Sequence, residues 1–245
     1  MEKALKVTNL KKSFGSNSFA VDGISFEVEK NEVFGLIGPN GSGKTTTQRM
    51  LTAILEPTSG RIQYEDRSIK SEFDKEWLRS RIGYVPQGDC LYKDLTVDEN
   101  LEIFSVPYNL PEAIKKENID RLLQELDIVG RRKSLVKNLS GGLAKRASIA
   151  AALVHNPKVI LFDEVTMGLD PNSRYQIWRL IESLKKEATI IITTHYMDEA
   201  EELCDRVAIL SKGKILELDK PAKIIQRYKF KDLNQVLGEI IERER

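Results

Sequence analysis

The sequence predicts an α/β fold: a mostly parallel core sheet, an N-terminal antiparallel β layer, and a helical subdomain inserted between core strands. Three observations lead there. Short, continuous apolar runs recur between helical patterns, as buried parallel strands do. The opening segment instead alternates with period two between Gly and Asn punctuation, as an antiparallel layer does. Residues 96–152 carry almost entirely helical periodicity.

In chain order, ALKVTNLKKSF and FAVDGISFEVEKNEVFGLIG supply the antiparallel layer and end in the first apolar run. TTTQRMLTAIL reads as a helix stopped by EPTSG, RIQYEDRSI as a small hairpin and SRIGYVPQ as a strand. TVDENLEIFSV opens on a Thr cap, PEAIKKENIDRLLQELDI opens on Pro at the first turn, and a third helix follows Ser140. PKVILFDE and ATIIITTH are further buried strands, separated by the helix SRYQIWRLIESLKKE. RVAILSKGKILELD is a hairpin across SKGK, and PAKIIQRYKFKDLNQVLGEIIERER is one or two amphipathic surface helices. The expected organisation is one domain over 1–245: a core of about 1–87 and 155–220, a helical subdomain of about 88–154 and a helical tail of about 221–245.

The bulk numbers exclude several function classes. The chain has 245 residues, 41% of them hydrophobic, enough for a sizeable core. Its 38 basic and 37 acidic residues leave a net charge of +1, so nucleic acid is not an expected partner. Cys90 and Cys204 lie far apart with no second Cys or His at metal spacing, which predicts free thiols in a reducing compartment. The longest apolar stretches, such as IAAALV, fall far short of the roughly 18 residues that span a bilayer. Any membrane role is therefore expected to come through a partner.

The chemistry concentrates after the apolar runs. GPNGSGKT, residues 38–45, stands between the strand EVFGLI and a helix, the context of a phosphate-binding loop. In that reading Gly38, Pro39, Asn40, Gly41, Ser42 and Gly43 form the loop, with Gly41 and Gly43 letting successive N–H groups turn inward around a β-phosphate. Lys44 reaches the β and γ oxygens, Thr45 offers a hydroxyl to Mg²⁺, and Thr46 completes the helix start. Asp163 and Glu164 end VILFDE at the carboxyl edge of a strand, where open α/β sheets hold ligands. Asp163 would hold Mg²⁺ and Glu164 would orient or deprotonate an attacking water. Gln87 ends RIGYVPQ and can reach Mg²⁺ or the water; His195 ends TIIITTH and can bond a γ-phosphate oxygen. The convergence of four strand ends on one sheet edge is the main argument for a nucleotide-hydrolysing P-loop NTPase. His155, in the surface-like VHNP, reads as structural.

One stretch is left over. NLSGGLAKRASIAA, residues 138–151, sets two glycines, poor helix formers, behind Ser140, a good N-cap. A helix start with bare N–H groups is an anion site, although the chain already has one at residues 38–45.

With Ser140, Gly141 and Gly142 between Gln87 and the Asp163, Glu164 pair, the whole chain resembles the nucleotide-binding subunit of an ABC transporter. The resemblance implies ATP and Mg²⁺ as ligands and a head-to-tail dimer, with itself or a homologous ATPase subunit. In that dimer Ser140, Gly141 and Gly142 cap the γ-phosphate held by the other copy. It implies an integral membrane permease as second partner, at the cytoplasmic side of the cell membrane. It further implies that Phe14, where the family often has Tyr, stacks on adenine, though an aromatic there could equally be a strand core residue. Asp170 in GLDP is implied as the loop acid that crosses the dimer interface, a role compatible with capping the helix at Pro171. Two departures stand out: Leu143 where the family commonly has Gln, and Val165 where it has Pro. Neither removes a catalytic group. Segments such as TTHYMDEAEELCDRVAILSKGKI resemble exporter ATPases in particular; a soluble regulatory ATP switch without a permease is the alternative.

Overall fold

The computed structural model describes residues 2–15, 18–88 and 90–243. The strands are β1 (Lys3–Ser13), β2 (Phe19–Glu29), β3 (Val33–Ile37), β4 (Ser59–Tyr64), β5 (Arg67–Ser68), β6 (Ile82–Val85), β7 (Val159–Asp163), β8 (Thr189–Thr194), β9 (Arg206–Ser211) and β10 (Lys214–Asp219). The helices are α1 (Lys44–Leu51), α2 (Glu72–Arg79), α3 (Val97–Ser105), α4 (Glu112–Glu125), α5 (Gly141–Leu153), α6 (Pro171–Leu184), α7 (Met197–Leu203), α8 (Pro221–Tyr228) and α9 (Leu233–Arg243).

The core sheet runs β10-β9-β3-β8-β7-β6, parallel throughout except for β10, which turns back on β9 at the edge. Because side chains alternate along a strand, this sheet divides the interior in two. Val33, Ile37, Ile160, Phe162, Ile190 and Ile192 face a layer formed by the helices after β6. Phe34, Leu36, Leu161, Ile191, Ala208 and Leu210 face α1 and the antiparallel sheet β2-β1-β4-β5. Burying one such side chain contributes roughly 2 kcal/mol, which is why these strands are apolar on both faces. The Phe26 ring of β2 stacks on Phe34 of β3 with centroids 5.2 Å apart, fastening the antiparallel layer to the core.

Three local expectations need correction. Helix α1 ends at Leu51 rather than continuing through TAIL: the Thr52 hydroxyl bonds the carbonyls of Gln48 and Arg49, and Ala53 turns the chain at φ +55°. Helix α2 was not anticipated. Its signal is nonetheless present, since Ser71 and Asp74 form a reciprocal capping box. His155 is not a surface residue: its ring stacks on Tyr108 at 3.7 Å, and its Nε2 lies 3.0 Å from the carbonyl of Ile82. Burial pushes its pKa down to about 4.

Between β6 and β7 the described chain contains α3, α4, α5 and three short 3-10 turns, and no strand. Thr96 caps α3 with a complete capping box, Pro111 stands at the N-cap of α4, and Ser140 caps α5 through Leu143 N–H at 3.4 Å. The tail folds back as two helices, with Leu233, Val236 and Ile240 of α9 buried. Residues 244 and 245 of the expected tail lie outside the described residues.

Candidate functional site

The parallel order β3-β8-β7-β6 sets four carboxyl ends side by side. Each is followed by one of the polar groups expected there. After β3 the loop 38–43 leads into α1. At Gly43 φ is +105° and a Cβ would come within 2.5 Å of the Ala20 carbonyl, so only glycine fits. Lys44 follows, 4% exposed, with Nζ donating to the carbonyls of Gly38 at 2.8 Å and Pro39 at 3.1 Å and lying 3.5 Å from Glu164 Oε1. Burial pushes the Lys44 pKa down, and the Glu164 carboxylate opposes that shift.

Asp163 is fixed from three directions. Its Oδ1 accepts from Thr193 Oγ1 at 2.6 Å and Thr45 Oγ1 at 3.2 Å, and its Oδ2 accepts from the Tyr84 hydroxyl at 3.2 Å. Glu164 takes a left-handed conformation, φ +47°, unusual for a side chain other than glycine and concentrated at functional sites. Its N–H is held by both the carbonyl and the hydroxyl of Thr193, each at 3.1 Å. That turn aims the carboxylate at its neighbours: Oε2 accepts from Gln87 Nε2 at 3.2 Å, and Oε1 stands 3.4 Å from His195 Nδ1. Ala20, Asn40, Lys44, Thr45, Gln87 and Glu164 share one cavity of about 310 Å³.

The donor set suits a hard divalent cation. Thr45 Oγ1 and an Asp163 oxygen lie together and the Gln87 amide is near, all oxygen donors of the kind Mg²⁺ takes alongside phosphate oxygens and water. Among the described residues no cluster of three or more His, Cys, Asp or Glu could hold a metal by itself. A cation here would need the phosphates of a ligand.

The remaining predicted residues form a second group. Ser140, Gly141 and Gly142 do not line the cavity around Lys44. Gly142 packs on the start of α6, where a Cβ would stand 2.6 Å from Ser173 Oγ, whereas a Cβ on Gly141 would meet nothing within 4 Å. Asp170 caps α6 by accepting from Ser173 N–H at 3.0 Å, and hydrogen bonding from the Ser173 hydroxyl together with that N–H holds its carboxyl below the usual carboxylate range. Ser173 thus brings the start of α5 and the Asp170 loop together. Phe14 lies just beyond β1 and is 65% exposed, so it is not a core residue.

Sequence reasoning missed Tyr84, Thr193 and Lys145. Tyr84 and Thr193 stand inside strands where only register reveals that their hydroxyls reach Asp163. Lys145 of α5 donates to the backbone carbonyl of Gln87 at 3.0 Å, a link between the inserted helices and the site with no sequence signature.

Comparison with known proteins decides the family. Residues 21–167, more than half of the chain, match the ABC transporter family. The chain belongs to that family. Its members hydrolyse ATP to drive transport, so this is an ABC ATPase. It is 39% identical over 236 residues to the Nod factor export ATP-binding protein I of Ralstonia nicotianae, covering 96% of this chain and 73% of that protein. It is 37% identical over 224 residues to the linearmycin resistance ATP-binding protein LnrL of Bacillus subtilis, covering 91% and 71%. Among solved structures it is similar to cbiO1 of Clostridium perfringens, part of the ABC transporter complex cbiONQ, with TM-score 0.85, 32% identity and 92% of each chain covered.

Proposed function

We propose that this ABC ATPase drives an exporter: two copies close head to tail around two Mg-ATP and move a separate membrane permease. The observation that carries the hydrolytic half is the position of Glu164. Its carboxylate is held between Gln87 and His195 at the mouth of the Lys44 cavity. In the reaction, loop N–H groups and Lys44 neutralise the β and γ oxygens. Glu164 orients the attacking water and accepts its proton, and His195 bonds a γ-phosphate oxygen. Bound at Thr45, Asp163 and Gln87, Mg²⁺ would neutralise phosphate charge. Phe14, exposed beside the strand pair that carries Ala20, supplies a face for adenine.

The dimer rests on the leftover helix start. Ser140 and the open face of Gly141 lie outside the Lys44 cavity of the same chain, and Asp170 stands beside them through Ser173. The permease rests on a cleft of about 920 Å³ between α2, β6 and the inserted helices, with Ile54, Tyr84, Phe104 and Tyr108 among its walls. Val106 nearby is 69% exposed, an apolar rim suited to an amphipathic helix. Export, rather than import, rests on the similarity to the two export or resistance ATPases. No helix among the described residues is long and apolar enough to cross a membrane.

Glu164→Gln tests the proposal. It keeps the size of the side chain but not its basicity, so ATP affinity should persist while kcat falls by about 100-fold or more. An ATP-bound dimer should then accumulate on size-exclusion chromatography. Tagged Glu164→Gln protein drawn from solubilised native membranes with Mg-ATP should retain a multi-span membrane protein. A variant that stays monomeric at saturating Mg-ATP would overturn the dimer, and recovery of soluble partners alone would favour a regulatory switch.

A further inference from the structure

Glu199 is a buried carboxylate, 3% exposed, that the proposed mechanism does not use. It lies on α7, four residues after His195. Its Oε1 accepts two hydrogen bonds at once, from Thr166 Oγ1 at 2.8 Å and from Trp178 Nε1 at 2.9 Å. Thr166 is itself buried, two residues past Glu164, inside the turn in which Met167 N–H bonds the Glu164 carbonyl and Leu169 N–H bonds the Thr166 carbonyl. Trp178 belongs to α6, the helix that Asp170 caps. One oxygen atom therefore joins the segment after Glu164, the segment after His195 and the helix beyond Asp170.

The partners of Glu199 Oε1 are two neutral donors, and no Lys or Arg pairs with Glu199 among the described residues. What the carboxylate supplies is geometric: hydrogen-bonded buried groups admit few alternative arrangements and so rigidify the elements they join. A second connection reinforces it from the surface side. Arg174 of α6 pairs with Asp198 and lies 4.7 Å from the Trp178 ring and 4.9 Å from the Tyr196 ring, which in turn packs on His195 at 4.2 Å.

We propose that Glu199 is a positioning residue for hydrolysis, holding the turn after Glu164 and the helix after His195 in the register that leaves Glu164 Oε1 3.4 Å from His195 Nδ1. It lies outside the Lys44 cavity and acts through Thr166. The inference rests on the roles proposed above for Glu164 and His195.

The test is steady-state hydrolysis by the full chain, with kcat expressed per ATP-binding site and ATP affinity measured separately. Glu199→Leu removes the shared acceptor. It should leave ATP affinity within about threefold of wild type while kcat falls about tenfold or more. Glu199→Gln retains an acceptor oxygen for both donors and should keep about half of the wild-type kcat or better. Thr166→Val, which removes one donor and keeps the carboxylate, should lower kcat by about threefold and gives the readout if the leucine variant does not fold. Wild-type kcat per site in the leucine or valine variant would overturn the proposal, as would a glutamine variant no better than leucine. Glu164→Gln is measured alongside. If it hydrolyses ATP at the wild-type rate, the assigned reaction has failed; if it is slow while Glu199→Leu is not, only the positioning role has.

Discussion

The two helix starts proposed as anion sites are built differently. At α1, the groups nearest the cavity are tied to the rest of the fold: Lys44 to Glu164 and two loop carbonyls, Thr45 to Asp163, and Asp163 to Thr193 and Tyr84. At α5, Ser140 caps its own helix, Gly142 packs on Ser173, and Gly141 faces open space. The first is a pre-organised site in which buried charges balance one another. The second presents a surface and little else. A site complete within one chain is assembled by sheet register; in the proposed dimer, the open backbone donors at α5 meet a ligand carried by the other copy.

The contrast can be broken at either end. The largest effect is expected at Lys44. Lys44→Ala removes a charge from the phosphates and leaves Glu164 without its cation, so ATP affinity should fall by about 100-fold in equilibrium binding. Normal affinity would mean that residues 38–45 are not the phosphate site. Gly141→Glu is the matching change at α5. Its side chain has room, so the fold and ATP binding by the monomer should be unchanged, while a negative charge opposite a partner's γ-phosphate should lower hydrolysis by about tenfold or more. Unchanged hydrolysis would show that the open helix start serves no nucleotide.

A smaller effect sharpens the same contrast away from both sites. The His155 pKa is about 4 in the fold, below the ordinary value of 6.5 that applies to the unfolded chain. The unfolded state therefore binds the proton first as pH falls, and stability supplied by neutral His155 is lost between pH 6.5 and 4. His155→Phe keeps a ring against Tyr108 and cannot protonate. Its melting temperature should fall less than that of wild type over this window. An identical pH dependence would assign the acid sensitivity to other groups.

Much of the fold was legible because its strands and helices obey simple periods. The buried runs at Val33, Val159 and Thr189 and the caps at Thr96 and Ser140 could be read directly, as could the loop at residues 38–45. Helix α2 escaped despite a complete capping signal at Ser71 and Asp74, and α1 ran short because Thr52 bonds back to its last carbonyls. Local chemistry overrode a longer apolar pattern there. His155 was misplaced because nothing in its neighbours announces Tyr108, nearly fifty residues away.

The sequence by itself determined which groups stand at strand ends, since apolar runs must be buried and the polar residues that follow them emerge at the carboxyl edge. Glycine at residue 43 and lysine at residue 44 carry their reading in residue type and spacing alone. Only the tertiary structure decided which edges are neighbours, because the order β3-β8-β7-β6 depends on packing between segments far apart in the chain. It also decided that Tyr84 and Thr193 reach Asp163, and that Gly142 meets Ser173 while Gly141 meets nothing. A hydrogen bond or a close approach between distant residues leaves no mark on either one's neighbours, so contacts of that kind are written only in three dimensions.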